Sequence, residues 1–321
     1  MKSKKEYVIL IAVAIVLVLY LVLHQSDRTL YQLPEMPDLS EKEVTRLEIK
    51  TPDETIELKK EAGQWVIKPL GYKAAEGKID KMLDTIKDFK LTAMVSASEN
   101  YTRYDLSEDE KIMVKAWADG APARTFAIGK AAPSHRHTFV KLPDDPNVYH
   151  ARNNFRRNFD QTVADLRDKA VLALNTEEIQ AVEITHPDKQ LKFARTQTEP
   201  EVAVSPDAPD ESEKPKDDAP QKPVWQDTEG NEVEASEVKN LLNSLSDLKC
   251  KNYINDREKS DFSDPIYAVT LTGPETYTLS IFEKAAEDDN TYPAVSSGSQ
   301  YPFNLSAQKA ETIMEALGKA E

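Results

Sequence analysis

Cysteine is almost missing from this 321-residue chain, with Cys250 standing alone. That excludes an internal disulfide framework and any multi-cysteine zinc or iron–sulfur centre. Glycine is scarce as well, nine residues in all, which leaves little material for phosphate-cradling loops. None of the signatures G-x-x-x-x-G-K-[ST], G-x-G-x-x-G, G-x-S-x-G or H-E-x-x-H occurs, so nothing argues for a P-loop, a dinucleotide fold, a nucleophile elbow or a zincin centre. Basic side chains are outnumbered, 41 against 56 acidic ones, for a net charge of −15 and a pI near 5.0. So acidic a chain lacks the basic face of a general phosphate-backbone binder, and nucleic acid is not an expected partner.

Long apolar runs are confined to one place. Tyr7 to Leu23 is 17 residues without a charge, a helix of about 26 Å and the short end of what crosses a hydrocarbon core. Lys2, Lys4 and Lys5 precede it; His24, Asp27 and Arg28 follow. The positive-inside rule then keeps the N-terminus in the cytoplasm and exports the rest. A cleaved secretory signal is the alternative, but its apolar core runs roughly 7–15 residues before a small-x-small site, and His24-Gln25-Ser26-Asp27 offers none. The expectation is a single-pass protein of the cytoplasmic (inner) membrane. Residues 1–6 form a cytoplasmic tail, 7–23 a transmembrane signal anchor, 24–42 a juxtamembrane linker, and the remainder a periplasmic or otherwise extracytoplasmic ectodomain.

The ectodomain repeats itself. Val44 to Asp53 (VTRLEIKTPD) recurs 135 residues later as Ile179 to Asp188 (IQAVEITHPD). Each copy reads as an alternating strand, a turn at Pro-Asp, and a second strand: Thr55 to Lys59 in one, Gln190 to Phe193 in the other. Trp65 matches Trp225 across an extra offset of 25 residues. The helical stripe Ile79, Met82, Leu83, Ile86, Phe89 returns as Val238, Leu241, Leu242, Leu245, Leu248. Ile112/Val114/Ala116 and Phe126/Ile128, flanking Asp119 to Pro122, answer to Tyr267/Val269/Leu271 and Leu279/Ile281, flanking Gly273-Pro274. The extra offset is an insertion, Thr198 to Pro223, with six prolines, eight acids and three lysines, a self-repelling stretch expected to be disordered. The fold class expected is α+β: after the transmembrane helix come two tandem homologous units, each an antiparallel sheet with a packed helix. Unit one covers 43–159, a connector covers 160–177 with a helix over Asp160 to Leu174, and unit two covers 178–321 with insertion 198–223. Ser306 to Leu317 reads as a closing helix.

Trp65, Trp225 and Trp117 could stack sugars or bases, but their places within alternating apolar runs point to ordinary core packing. Cys250 aligns with Leu91 and reads as a core residue. His135 and His137, on a strand, would share one face with metal-ligand spacing, with His150 as a third; a solvent-exposed loop or strand edge is the plainer reading. No catalytic, cofactor-binding or metal residues are assigned. One stretch opposes the chain's overall sign. Between Lys130 and Arg157 stand Lys130, Arg136, Lys141, Arg152, Arg156 and Arg157 against Asp144 and Asp145, a net +4, whereas the matching Lys284 to Glu311 carries −2. Those six cations form a candidate partner surface, or else contacts between the two units.

The opening strand with its Thr-Pro-Asp turn, Gln64-Trp65-Val66-Ile67, Tyr104-Asp105-Leu106, Ile128-Gly129-Lys130, Phe139-Val140-Lys141, Val148-Tyr149 and Leu166-Arg167-Asp168-Lys169 together resemble the bacterial family called domain of unknown function 4340. The resemblance covers about residues 43 to 320, although Asp105-Leu106 stands where family members often have Gly-Leu. It implies a membrane-anchored exported protein, often encoded beside ABC-transporter components of the gliding-motility auxiliary type, with no established activity and so no catalytic residues to carry over. The function expected is therefore a non-enzymatic accessory or scaffold protein whose partners are the membrane and ABC-transporter or other envelope proteins, with no cofactor. A binding module for an acidic polysaccharide or lipid headgroup is the alternative, and an enzyme of unknown type a second one.

Overall fold

The computed structural model describes residues 3–23, 31–39, 43–196 and 224–317. The 198–223 insertion expected from the sequence lies outside these residues. The chain divides into two compact units, Met1–Arg167 and Asp168–Glu321.

The first unit opens with helix α1, Ser3–Leu23. Its described side chains, Tyr7 and Leu10 to Tyr20, are all exposed. Among the described residues no helix is long and apolar enough to cross a membrane. The span expected over 7–23 rests on the sequence. There follow β1 (Val44–Lys50), β2 (Thr55–Glu61), β3 (Gln64–Lys68), β4 (Tyr72–Lys73), α2 (Glu76–Lys87), β5 (Leu91–Ser96), β6 (Ile112–Ala118), β7 (Ala121–Ala131), β8 (His137–Lys141), β9 (Val148–Arg152) and the short helices α3 (Arg156–Phe159) and α4 (Val163–Leu166). The strands form one antiparallel sheet in the order β4-β3-β2-β1-β6-β7-β8-β9-β5. Period-two alternation sets the register: Leu47 lies opposite Leu58 and Ile49 opposite Ile56, and all four are fully buried. Each such side chain removed from water contributes roughly 1.5–3 kcal/mol. Helix α2 buries Ile79, Met82 and Ile86; Glu76 in its first turn and Lys87 in its last both suit the helix dipole.

The second unit contains β10 (Ala170–Ala173), β11 (Ala181–Thr185), β12 (Gln190–Thr196), β13 (Val224–Asp227), β14 (Glu232–Val233), α5 (Ala235–Leu245), β15 (Asp247–Lys249), β16 (Asn252–Tyr253), β17 (Tyr267–Thr272), β18 (Thr276–Ile281), β19 (Thr291–Ser296), β20 (Phe303–Ser306) and α6 (Ala307–Glu315). Its large sheet runs β14-β13-β12-β11-β17-β18-β19-β20-β16, the same serial order as the first. The registers agree too. Val182 pairs with Phe193 as Leu47 does with Leu58, and Arg195 faces Trp225 as Lys60 faces Trp65. Both tryptophans are 6% exposed.

Two expectations are corrected. The connector is not one helix over Asp160 to Leu174. Thr162 caps α4 through a capping box with Asp165, Arg167 then turns extended, and Ala170–Ala173 becomes β10, paired with β15. Val171 and Leu172 are buried there, a gain a surface helix would forgo. The division between units falls after Arg167, within the expected connector 160–177. Trp117 is only half-buried, lying on the sheet face opposite Ala116 beneath the Arg46 guanidinium at 4.3 Å.

A segment ahead of β1 also belongs to the first core. Leu39 is 1% exposed, and Leu33 and Met36 pack beside it. Arg124, itself buried, donates to the carbonyls of Ile86, Lys87 and Pro37, so it joins the end of α2 to this segment. Burial pushes its pKa down and nearby Asp38 pushes it back up.

Candidate functional site

The cation-rich stretch of the first unit collects at one end of β8 and β9. β7 ends at Ala131; the Ala132 N–H donates to the His137 carbonyl at 2.9 Å and the His135 N–H to the Ala132 carbonyl at 2.8 Å. His135 takes the left-handed conformation, φ 54°. His137 begins β8 opposite Arg152, the last residue of β9. Beyond it the Asn153 N–H donates to the Arg136 carbonyl at 2.9 Å. Thr138 Oγ1 donates to the Asn153 carbonyl and accepts from the Phe155 N–H, at 2.9 and 3.1 Å. These bonds fix the turn to the strand end and frame a cleft of about 430 Å³ lined by His135, Arg136, His137, Arg152, Asn153 and Asn154. No acidic residue lines it. Arg136 and Arg152 make no ion pair with any described residue, and both are exposed.

The histidines are arranged otherwise than a shared strand face would have them. His135 sits in the turn, while the ring stacked on His137 is that of His150, at 5.2 Å between centroids and 20° between planes. Burial first, then the neighbouring His137 imidazole, hold His150 below the ordinary histidine pKa. Among the described residues no group of His, Cys, Asp and Glu is placed to hold a metal ion.

The other four cations are elsewhere. Lys130 pairs with Asp105 at 3.1 Å. Lys141 stands 5.5 Å from the centre of the Tyr101 ring. Arg156 donates to the carbonyls of Glu110 and Ile128 at 2.8 and 3.4 Å and pairs with Asp160 at 3.6 Å, so it braces the unit from within. Arg157 is exposed outside the cleft. The structure thus brings together Arg136 and Arg152 and adds Asn153 and Asn154, which no sequence motif marked.

A larger groove of about 750 Å³ lies in the second unit, lined among others by His186, Arg257, Phe262, Asp264, Phe282 and Glu283. Its one guanidinium is already engaged, lying 4.0 Å over the Phe262 ring and donating to the Asp261 carbonyl at 2.7 Å, and acids share its walls. The smaller cleft is the better-defined site because its charges have one sign and no internal partner.

Two copies of one antiparallel sheet order, each with a buried amphipathic helix, define an α+β protein built from a doubled unit. The profile of the family Domain of unknown function (DUF4340) matches residues 65–265, and the chain belongs to that family. No curated protein and no solved structure matches it.

Proposed function

We propose that this chain is a membrane-anchored, non-enzymatic accessory or scaffold protein whose exported units work beside an ABC-type transport or motility system. One observation carries the anchor: within the 17 uncharged residues Tyr7 to Leu23, helix α1 leaves its large described apolar side chains 51–68% exposed. Water around that surface is unfavourable by ~25 cal/mol for each Å², and a bilayer removes the penalty. The transport association follows from what the family resemblance implies. Crosslinking in native membranes tests it, together with a reporter active only outside the cytoplasm fused after Glu321. Recovery of transporter subunits and an active reporter support the proposal; a soluble, N-terminally shortened product overturns the anchor, and crosslinks without transporter subunits overturn the association.

The second reading is an envelope module that binds an acidic polysaccharide or lipid headgroup. The cleft of Arg136 and Arg152 favours it, since two exposed guanidiniums without acidic neighbours in a chain of charge −15 suit an anion from outside.

A further inference from the structure

We propose that the cleft between the β7–β8 turn and the end of β9 is a phosphate-binding site, with Arg136 and Arg152 as its charged clamps and His135, His137, Asn153 and Asn154 as further polar contacts. The inference rests on the acidic-ligand reading above and narrows it to one chemistry.

The second unit supplies an internal control. There the Ala307 N–H donates to the Asn290 carbonyl at 2.9 Å, as the Asn153 N–H does to Arg136. Thr291 lies opposite Ser306, as His137 lies opposite Arg152. Pro293 faces Asn304 where Phe139 faces His150. The same backbone arrangement therefore forms with Asn290, Thr291, Ser306 and Ala307 in place of Arg136, His137, Arg152 and Asn153. Folding does not require the cations. Exposed arginines repel one another across a shared cleft unless an anion lies between them. Neither is used to brace the unit, in contrast to Arg156.

The donor set selects among anions. A carboxylate offers two oxygens and one charge, enough for a single guanidinium fork. A phosphate offers more oxygens and up to two charges, so it can accept from both forks and from amide or imidazole N–H groups at once. The phosphate can be a monoester on a lipid headgroup or a free solute, and the clamp chemistry is common to both; a phosphodiester, with one charge and two non-bridging oxygens, offers no more than a carboxylate.

The test uses the full chain in uncharged detergent micelles, titrated calorimetrically with inorganic phosphate and, separately, with phosphatidic acid, a phosphomonoester lipid, doped into the micelles. The key variant gives the first unit the residues of the second: Arg136→Asn/His137→Thr/Arg152→Ser/Asn153→Ala. Thermal denaturation should be nearly unchanged, and affinity should fall about tenfold or more, as loss of two charge-assisted clamps requires. A milder variant, Arg136→Gln/Arg152→Gln, serves if the fourfold change unfolds, and should show the same loss. Saturable binding of both probes at similar affinity assigns a free phosphate; markedly tighter binding of phosphatidic acid assigns a headgroup. Equal affinity of folded variant and wild type overturns the inference, as does failure of wild type to bind either probe. In that last case a polysaccharide bearing only carboxylates is titrated: binding lost in the variant leaves the acidic-ligand reading standing, and no binding removes both.

Discussion

Tyr267 shows how one atom can work against its surroundings. Its ring is buried in the second core and meets His186 edge-on at 5.0 Å, yet its hydroxyl has no hydrogen-bond partner among the described residues. Burial accordingly drives its pKa well above the ordinary phenol value. A buried hydroxyl left unpaired costs about 1–3 kcal/mol, so Tyr267→Phe should raise the melting temperature of the second unit by a few degrees, about 2–4 °C per kcal/mol; calorimetry decides, and a lowered melting temperature refutes the reading. His150 carries a pH consequence. Its folded pKa lies below its unfolded value near 6.5, so the unfolded chain binds the extra proton first. Its contribution is intact above that value and is lost as the pH falls through about 6.5 toward the folded pKa. His150→Phe should flatten the fall in melting temperature between pH 7 and 5; an unchanged slope contradicts the assignment. Gly129 shows a different constraint, since a Cβ there would overlap the carbonyl oxygen of Tyr104.

At the level of elements, the parts legible in the sequence are those whose pattern is local. Leu47, Ile49, Ile56 and Leu58 alternate with charges, so strand, face and register follow together; the stripes of α2 and α5 are equally plain. What local pattern cannot carry is long-range pairing. β10 exists because Leu172 meets Leu248, 76 positions away, and the cleft exists because β8 places His137 against Arg152. Arg124 did leave a signal, standing in phase with buried Phe126 and Ile128, but phase does not reveal the three carbonyls it serves. The hairpin of β12 and β13 yields a prediction of its own. Thr196 and Val224 are register partners, so the intervening residues 197–223 begin and end side by side. Replacing them with Asn-Gly, whose positive φ values suit a two-residue hairpin, should leave the melting temperature unchanged or slightly raised, because a shorter loop costs less to close. A drop of more than about 5 °C, over 1 kcal/mol at this size, would show that the segment contributes to folding.

For the molecule as a whole, each unit has its own sheet and its own core, so calorimetry should resolve separate responses to damage in one or the other. The larger consequence follows from Leu39 and Arg124. Because Leu33, Met36 and Leu39 are packed into the first core and Pro37 accepts from Arg124, the chain between the end of α1 at Leu23 and the first packed residue, Leu33, is only residues 24–32. Fully extended, that leash reaches at most about 33–36 Å. If α1 is a membrane anchor, the point where the first unit attaches can never stand further from the bilayer than this. Arg124→Met, by releasing 33–39, should lengthen the leash by about 25 Å and lower energy transfer from a dye on the first unit to an acceptor in the lipid. Unchanged transfer would show that the docked segment does not set the reach. Lowered transfer would make buried Arg124 the residue that decides how high above the membrane this protein can work.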